Sequence, residues 1–223
     1  MKKYLVLLAA ALLQAGARAA TYTYTGPAYN ASELHNFAAC PPGTGNCGAY
    51  TTAMAETGSF TTAVPVAANL NSEDITSQVT SFSFSDGLTV YASGDPQVTL
   101  MSVVATTTGG VLQFSVTLLR WQTPAPHASG DHLDRISLSQ GGQHNAVCSD
   151  VGLNPQGDQC YASSAGDVFS SWRNDDLVNG IWVASGLPPV ASTAVPTLGE
   201  WGLLLLASLM VGAGWMAVGR RRM

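Results

Sequence analysis

The stretch VTSFSFSDG, residues 79–87, alternates large apolar with small polar side chains. Phe82 and Phe84 fall on one side of an extended chain, and Ser81, Ser83 and Ser85 fall on the other. That is the pattern of a strand with one buried and one wet face. The same period runs through TYTYT (21–25), which pairs Tyr22 with Tyr24, and through QVTLMSVV (97–104). It recurs in VLQFSVTLLRW (111–121), where Phe114, Val116 and Leu118 align. Gly26-Pro27, Asp86-Gly87, Gly94-Asp95-Pro96, Gly109-Gly110 and Gly141-Gly142 punctuate these runs as expected turns. One short helical turn is expected at Asn71–Gln78, capped from Ser72-Glu73-Asp74. Short strands separated by turn chemistry predict a mainly β domain over residues 20–186, an antiparallel β-sandwich or jelly roll.

The two ends read differently. Lys2 and Lys3, the apolar run Tyr4–Leu13 and the small-x-small site Ala17-Arg18-Ala19 predict a signal peptide over 1–19, removed by signal peptidase. Residues 187–194, LPPVASTA, read as a Pro/Ser linker. From Trp201 to Gly219 the chain carries no charge, and as a helix it reaches about 28 Å, close to the ~30 Å hydrocarbon core of a bilayer. A C-terminal transmembrane helix is therefore expected at about 201–219. Arg220, Arg221 and Arg222 place the C-terminal end inside and the domain outside.

Before that helix stands Val195-Pro196-Thr197-Leu198-Gly199-Glu200-Trp201-Gly202. Pro196 disfavours helix and pushes Val195 toward an extended conformation, the shape a protease cleft usually requires. Glu200 resists entry into hydrocarbon and pins the motif at the water boundary. Motif, apolar helix and Arg cluster together, residues 195–222, resemble the IPTL-CTERM sorting signals of Gram-negative bacteria, with Val195 in place of the usual Ile. The resemblance implies recognition by an exosortase, a polytopic membrane cysteine protease or transpeptidase, and export across the inner membrane. Anchoring by the helix would then be transient, ending at the cell surface or outside the cell. YTYTG (22–26) and ITSQVTSFSFSDG (75–87) more loosely resemble a domain common in bacterial surface proteins with C-terminal sorting signals. That likeness implies β structure and no activity.

Of the fourteen acidic residues all but Glu200 lie between the two end signals, where Arg120, Arg135 and Arg173 are the only Lys or Arg side chains. Such a segment is a poor nucleic-acid binder. The four cysteines of this exported chain allow three pairings; local ones, Cys40–Cys47 in CPPGTGNC and Cys148–Cys160 in CSDVGLNPQGDQC, close the shortest loops across Pro/Gly turns.

Candidates for chemistry are few. PHASGDHLD (126–134) gathers His127, Asp131, His132 and Asp134, the best metal or acid–base candidate, but it matches no zinc-protease spacing and reads as a solvated loop. No GxSxG elbow supplies a nucleophile. Asp150, Asn154 and Asp158 in DVGLNPQGD are weak calcium candidates that depart from the EF-hand loop, so no metal and no cofactor is assigned. Trp121, Trp172 and Trp182 would stack on sugars in a lectin, yet alternating positions favour core. The expected function is a non-enzymatic surface or matrix protein, with extracellular polysaccharide as a candidate partner. The alternatives are a secreted carbohydrate-active or hydrolytic enzyme using the 126–134 loop, or a permanently anchored single-pass protein.

Overall fold

The computed structural model describes residues 18–186 apart from 139, 155–156, 167 and 175–179, with 153, 154, 157 and 158 described in backbone only. Most of the expected signal peptide, the 187–194 linker and the whole of 195–223 lie outside the described residues. Among the described residues, no helix is long and apolar enough to cross a membrane.

The domain is mainly β. Its strands are β1 (Ala20–Ala28), β2 (Leu34–His35), β3 (Ala55–Thr62), β4 (Glu73–Asp74), β5 (Val79–Ser85), β6 (Val90–Ala92) and β7 (Val98–Thr106). They continue with β8 (Gln113–Trp121), β9 (His132–Ser137), β10 (Gly141–Asn154), β11 (Gly157–Ser164), β12 (Ser171–Asn174) and β13 (Ile181–Ser185). A five-stranded sheet runs β13-β1-β3-β5-β6. An eight-stranded sheet runs β2-β12-β10-β9-β8-β7-β4, with β11 also on β10. Every pairing is antiparallel.

Both sheets feed one core. Tyr22, Tyr24, Phe60, Phe84 and Tyr91 of the smaller sheet meet Val103, Phe114, Val116, Leu118 and Ile136 of the larger. Tyr22 and Phe114 lie 4.9 Å apart between ring centroids, and Phe114 meets Trp182 at the same spacing. Each such ring removes roughly 150–250 Å² from water, so the aromatic cluster dominates the hydrophobic term. A second cluster of Leu119, Trp121, Leu133, Ala146, Cys148 and Cys160 covers part of the other face of the larger sheet. Burial on both faces explains why alternation fades at Leu118-Leu119-Arg120-Trp121.

Several sequence expectations need correction. The helical turn expected within Asn71–Gln78 is confined to its last three residues. Glu73–Asp74 pairs with β7 and only Thr76–Gln78 forms a 3-10 turn. Of the expected capping residues Ser72-Glu73-Asp74, Asp74 meets the turn, its carboxylate accepting from Thr76 N at 2.8 Å, while the N-cap position itself is Ile75. Gly26-Pro27 is not a turn between strands but sits within β1, where the register shifts between Thr25 and Ala28 because Pro27 donates no backbone hydrogen bond. Gly141-Gly142 opens β10 instead of turning the chain. Gly141 has φ +125°, and a Cβ there would strike the Arg173 carbonyl, so the close approach of β12 requires glycine.

Candidate functional site

Both disulfides are local, Cys40–Cys47 and Cys148–Cys160. The second spans a β10–β11 hairpin, which carries the weak calcium candidates Asp150, Asn154 and Asp158. Asp150 pairs with Ala162 while Asp158 pairs with Leu153 and Asn154 with Gly157, so the three positions spread along extended strands. Among the described residues no group of three or more His, Cys, Asp or Glu side chains is placed to hold a metal.

The 126–134 stretch does not converge either. His127 stacks on Trp121 at 4.0 Å, with Nε2 2.9 Å from the Thr123 carbonyl. Asp131 accepts from Ala128 N at 2.7 Å within its own turn. His132 and Asp134 belong to β9 rather than to a loop. The His132 ring meets Phe169 edge-on at 5.5 Å. Only Asp134 enters a cluster, and its partners come from elsewhere in the chain.

That cluster adjoins the aromatic core through Tyr91, whose hydroxyl reaches Asp86. Asp134 is buried at 2 % exposure, and its carboxylate lies 3.0 Å from His144 Nδ1. It also accepts from Thr89 Oγ1 at 3.0 Å, Gln122 Nε2 at 3.0 Å and Asn145 N at 2.9 Å. Burial alone would raise this carboxyl; the hydrogen bond and charge of His144, with the Asn145 and Gln122 bonds, hold it below its ordinary value. Burial likewise opposes the His144 cation, but Asp134, Asp86 and the Asn46 backbone raise its pKa.

Beside the pair, fully buried Asp86 accepts Leu88 N and Thr89 N on one oxygen. Its other oxygen takes the Tyr50 hydroxyl at 2.9 Å and the Tyr91 hydroxyl at 3.4 Å. Burial, reinforced by Asp86, pushes both phenols well above their usual range. Further in, Arg173 of β12 bonds Glu56 of β3 across the two sheets, both residues 2 % exposed. The guanidinium carbon sits 4.6 Å from the Tyr29 ring centroid. Asn145, with φ +56°, sends its amide to the Thr44 and Phe169 carbonyls and ties down the Cys40–Cys47 loop.

An open cavity of roughly 440 Å³ adjoins Asp134 and His144, lined also by Thr89, Asp95 and Arg120. The hydroxyl, imidazole and carboxylate there have the composition of a nucleophilic triad but not its wiring. In a triad the hydroxyl donates to the imidazole nitrogen opposite the carboxylate. Here Thr89 Oγ1 donates to Asp134 and lies 3.4 Å from the same Nδ1 that Asp134 engages. The Asn46 backbone takes a further hydrogen bond from the ring. The arrangement is that of a solvent-shielded ion pair.

Sequence reading missed His144, Asp86, Glu56, Arg173 and Tyr50. One signal was available: Glu56 shares the inward parity of Phe60 in AETGSF, a charge where alternation demands burial.

The sorting residues Val195, Pro196, Thr197, Leu198, Glu200, Trp201 and Gly202 lie outside the described residues. No curated protein and no solved structure matches the chain. Residues 193–222 match the family model of the IPTL-CTERM motif. The chain therefore carries an IPTL-CTERM sorting signal over residues 193–222.

Proposed function

We propose that this is an exported, non-enzymatic surface or extracellular protein of a Gram-negative bacterium. A signal peptide at 1–19 starts its export, and the 201–219 helix holds the β-sandwich ectodomain transiently at the inner membrane. An exosortase-like transpeptidase then reads VPTLGEWG and removes the tail. The observation that carries this reading is the IPTL-CTERM match at 193–222. It falls on a motif with helix-breaking Pro196, an uncharged span and a terminal Arg cluster. The absence of catalysis is supported by the wiring around His144, whose ring is engaged by Asp134 and the Asn46 backbone and so is poorly placed to take a proton from a nucleophile.

The test is Pro196→Ala with Thr197→Ala, in a host with its exosortase and in one without. The double variant should insert normally but accumulate as the longer form in the membrane fraction. Equal size and location of wild type and variant in the competent host would leave only a permanent anchor.

A further inference from the structure

On the solvent side of the eight-stranded sheet, four neighbouring strands place His35, Trp172, Gln143 and Arg135 in one register row. Trp172 points away from the interior because its neighbour Arg173 points in to Glu56. His35 covers one face of the indole, the rings stacked at 3.6 Å and 11°. On β10 the register partner of Trp172 is Gln143. A shallow cavity of roughly 290 Å³ opens there, bounded by Arg135 and Trp172.

Several polar groups of this cavity present donors. Ser163 Oγ donates to Gln143 Oε1 at 2.8 Å, and Ser137 Oγ donates to Gln140 Oε1 at 3.2 Å. Each bond occupies an amide oxygen and leaves the amide NH2 as a donor. Arg135 adds a guanidinium with no ion-pair partner among the described residues. By contrast Arg120 pairs with Asp95 and Arg173 with Glu56. Among the described residues no carboxylate lines the cavity. A guanidinium and amide donors beside an aromatic face suit a ligand with an apolar ring face and an anionic edge.

We infer that this cavity binds an acidic saccharide, a uronate residue of a polysaccharide, stacked on Trp172 with its carboxylate on Arg135. Two strand gaps separate Trp172 from Arg135, about 10 Å between backbones, which accommodates one pyranose ring with its contacts on either side. The indole stacks on the C–H face of the ring, the guanidinium takes the carboxylate, and the glutamine amides donate to ring hydroxyls. The cavity is open, as a polymer requires. The acidic surface elsewhere acts on the ligand through water and is screened beyond about 10 Å, whereas the Arg135 contact is direct. The inference concerns the ectodomain alone, so its failure would leave the sorting reading untouched.

The experiment is fluorescence anisotropy of a labelled galacturonate hexamer titrated with the purified full chain. The comparison probe is the same hexamer with its carboxylates reduced to alcohols. Arg135→Gln should weaken binding of the acidic hexamer about tenfold to a hundredfold, with an unchanged thermal unfolding midpoint. The reduced hexamer should bind wild type as weakly as the acidic hexamer binds Arg135→Gln. Trp172→Ala should abolish binding; should that variant fail to fold, Trp172→Phe keeps a ring and should lose only severalfold. No binding by wild type, equal binding by Arg135→Gln, or equal affinity for the reduced hexamer would overturn the site. Displacement by acetate as readily as by galacturonate would overturn its assignment to a sugar.

Discussion

Arg173→Met tests the polar interior most sharply. The guanidinium and its partner Glu56 are each 2 % exposed and bond across the two sheets. Removing the cation leaves a carboxylate buried without its main counter-charge, which typically costs about 3–5 kcal/mol. Against a total stability of about 5–15 kcal/mol, that is a large share. For a domain of this size each kcal/mol moves the midpoint by about 2–4 °C, so the loss should be roughly 6–20 °C. Glu56→Gln should also destabilise, by removing the carboxylate that Arg173 bonds. The double variant removes both charges and should recover most of the loss, because a buried pair gains little over a neutral replacement. Urea unfolding of the four oxidised proteins closes the cycle. If the two single effects simply add in the double variant, to within about 0.5 kcal/mol, the residues are not coupled and the assigned pair is wrong.

Stability should depend on pH through His144 and Asp134. His144 titrates above its ordinary 6.5, so its contribution is full below that value and is lost as pH rises through the raised one. Asp134 titrates below its ordinary 3.8, so its contribution is present above that value and is lost as pH falls through the lowered one. Denaturation midpoints from pH 5 to 9 should thus fall on the alkaline side in wild type and flatten in His144→Gln; a wild-type midpoint that climbs toward pH 9 would contradict the pair. Non-reducing peptide mapping should join Cys40 to Cys47 and Cys148 to Cys160. Opening either bridge should cost about 2–3 kcal/mol in urea melts, and a link between the two loops would contradict the pairing. Gly141→Ala places a Cβ against the β12 backbone at positive φ and should cost about 1–3 kcal/mol, and an unchanged midpoint would mean that β12 does not approach so closely.

The strands with one wet face were legible because small hydroxyl residues alternate with aromatic ones, as in Tyr22, Tyr24, Phe82 and Phe84. Strand β10 was not, for three physical reasons. It begins with two glycines that look like a turn, it buries a histidine where an apolar residue is expected, and its register shifts between Gln143 and Ala146. Asp134 was named in the sequence, but its partner His144 sits on the next strand, and only strand pairing brings them together. The histidines closer in sequence, His127 and His132, turned to aromatic neighbours instead. The local disulfides were legible because short loops restrict which cysteines meet. Arg135 and Trp172 share a face only because β9, β10 and β12 adjoin, an arrangement no local pattern encodes.

The most direct test of the account is an intact mass of the form found outside the cell, taken without reduction. Processing at VPTLGEWG predicts a chain starting at Ala20 or Thr21, lacking the apolar run from Trp201 to Gly219 and Arg220–Arg222, with both disulfides closed. Any attached group would appear as added mass at the new C-terminal end. A mature chain that still ends at Met223 would contradict the account.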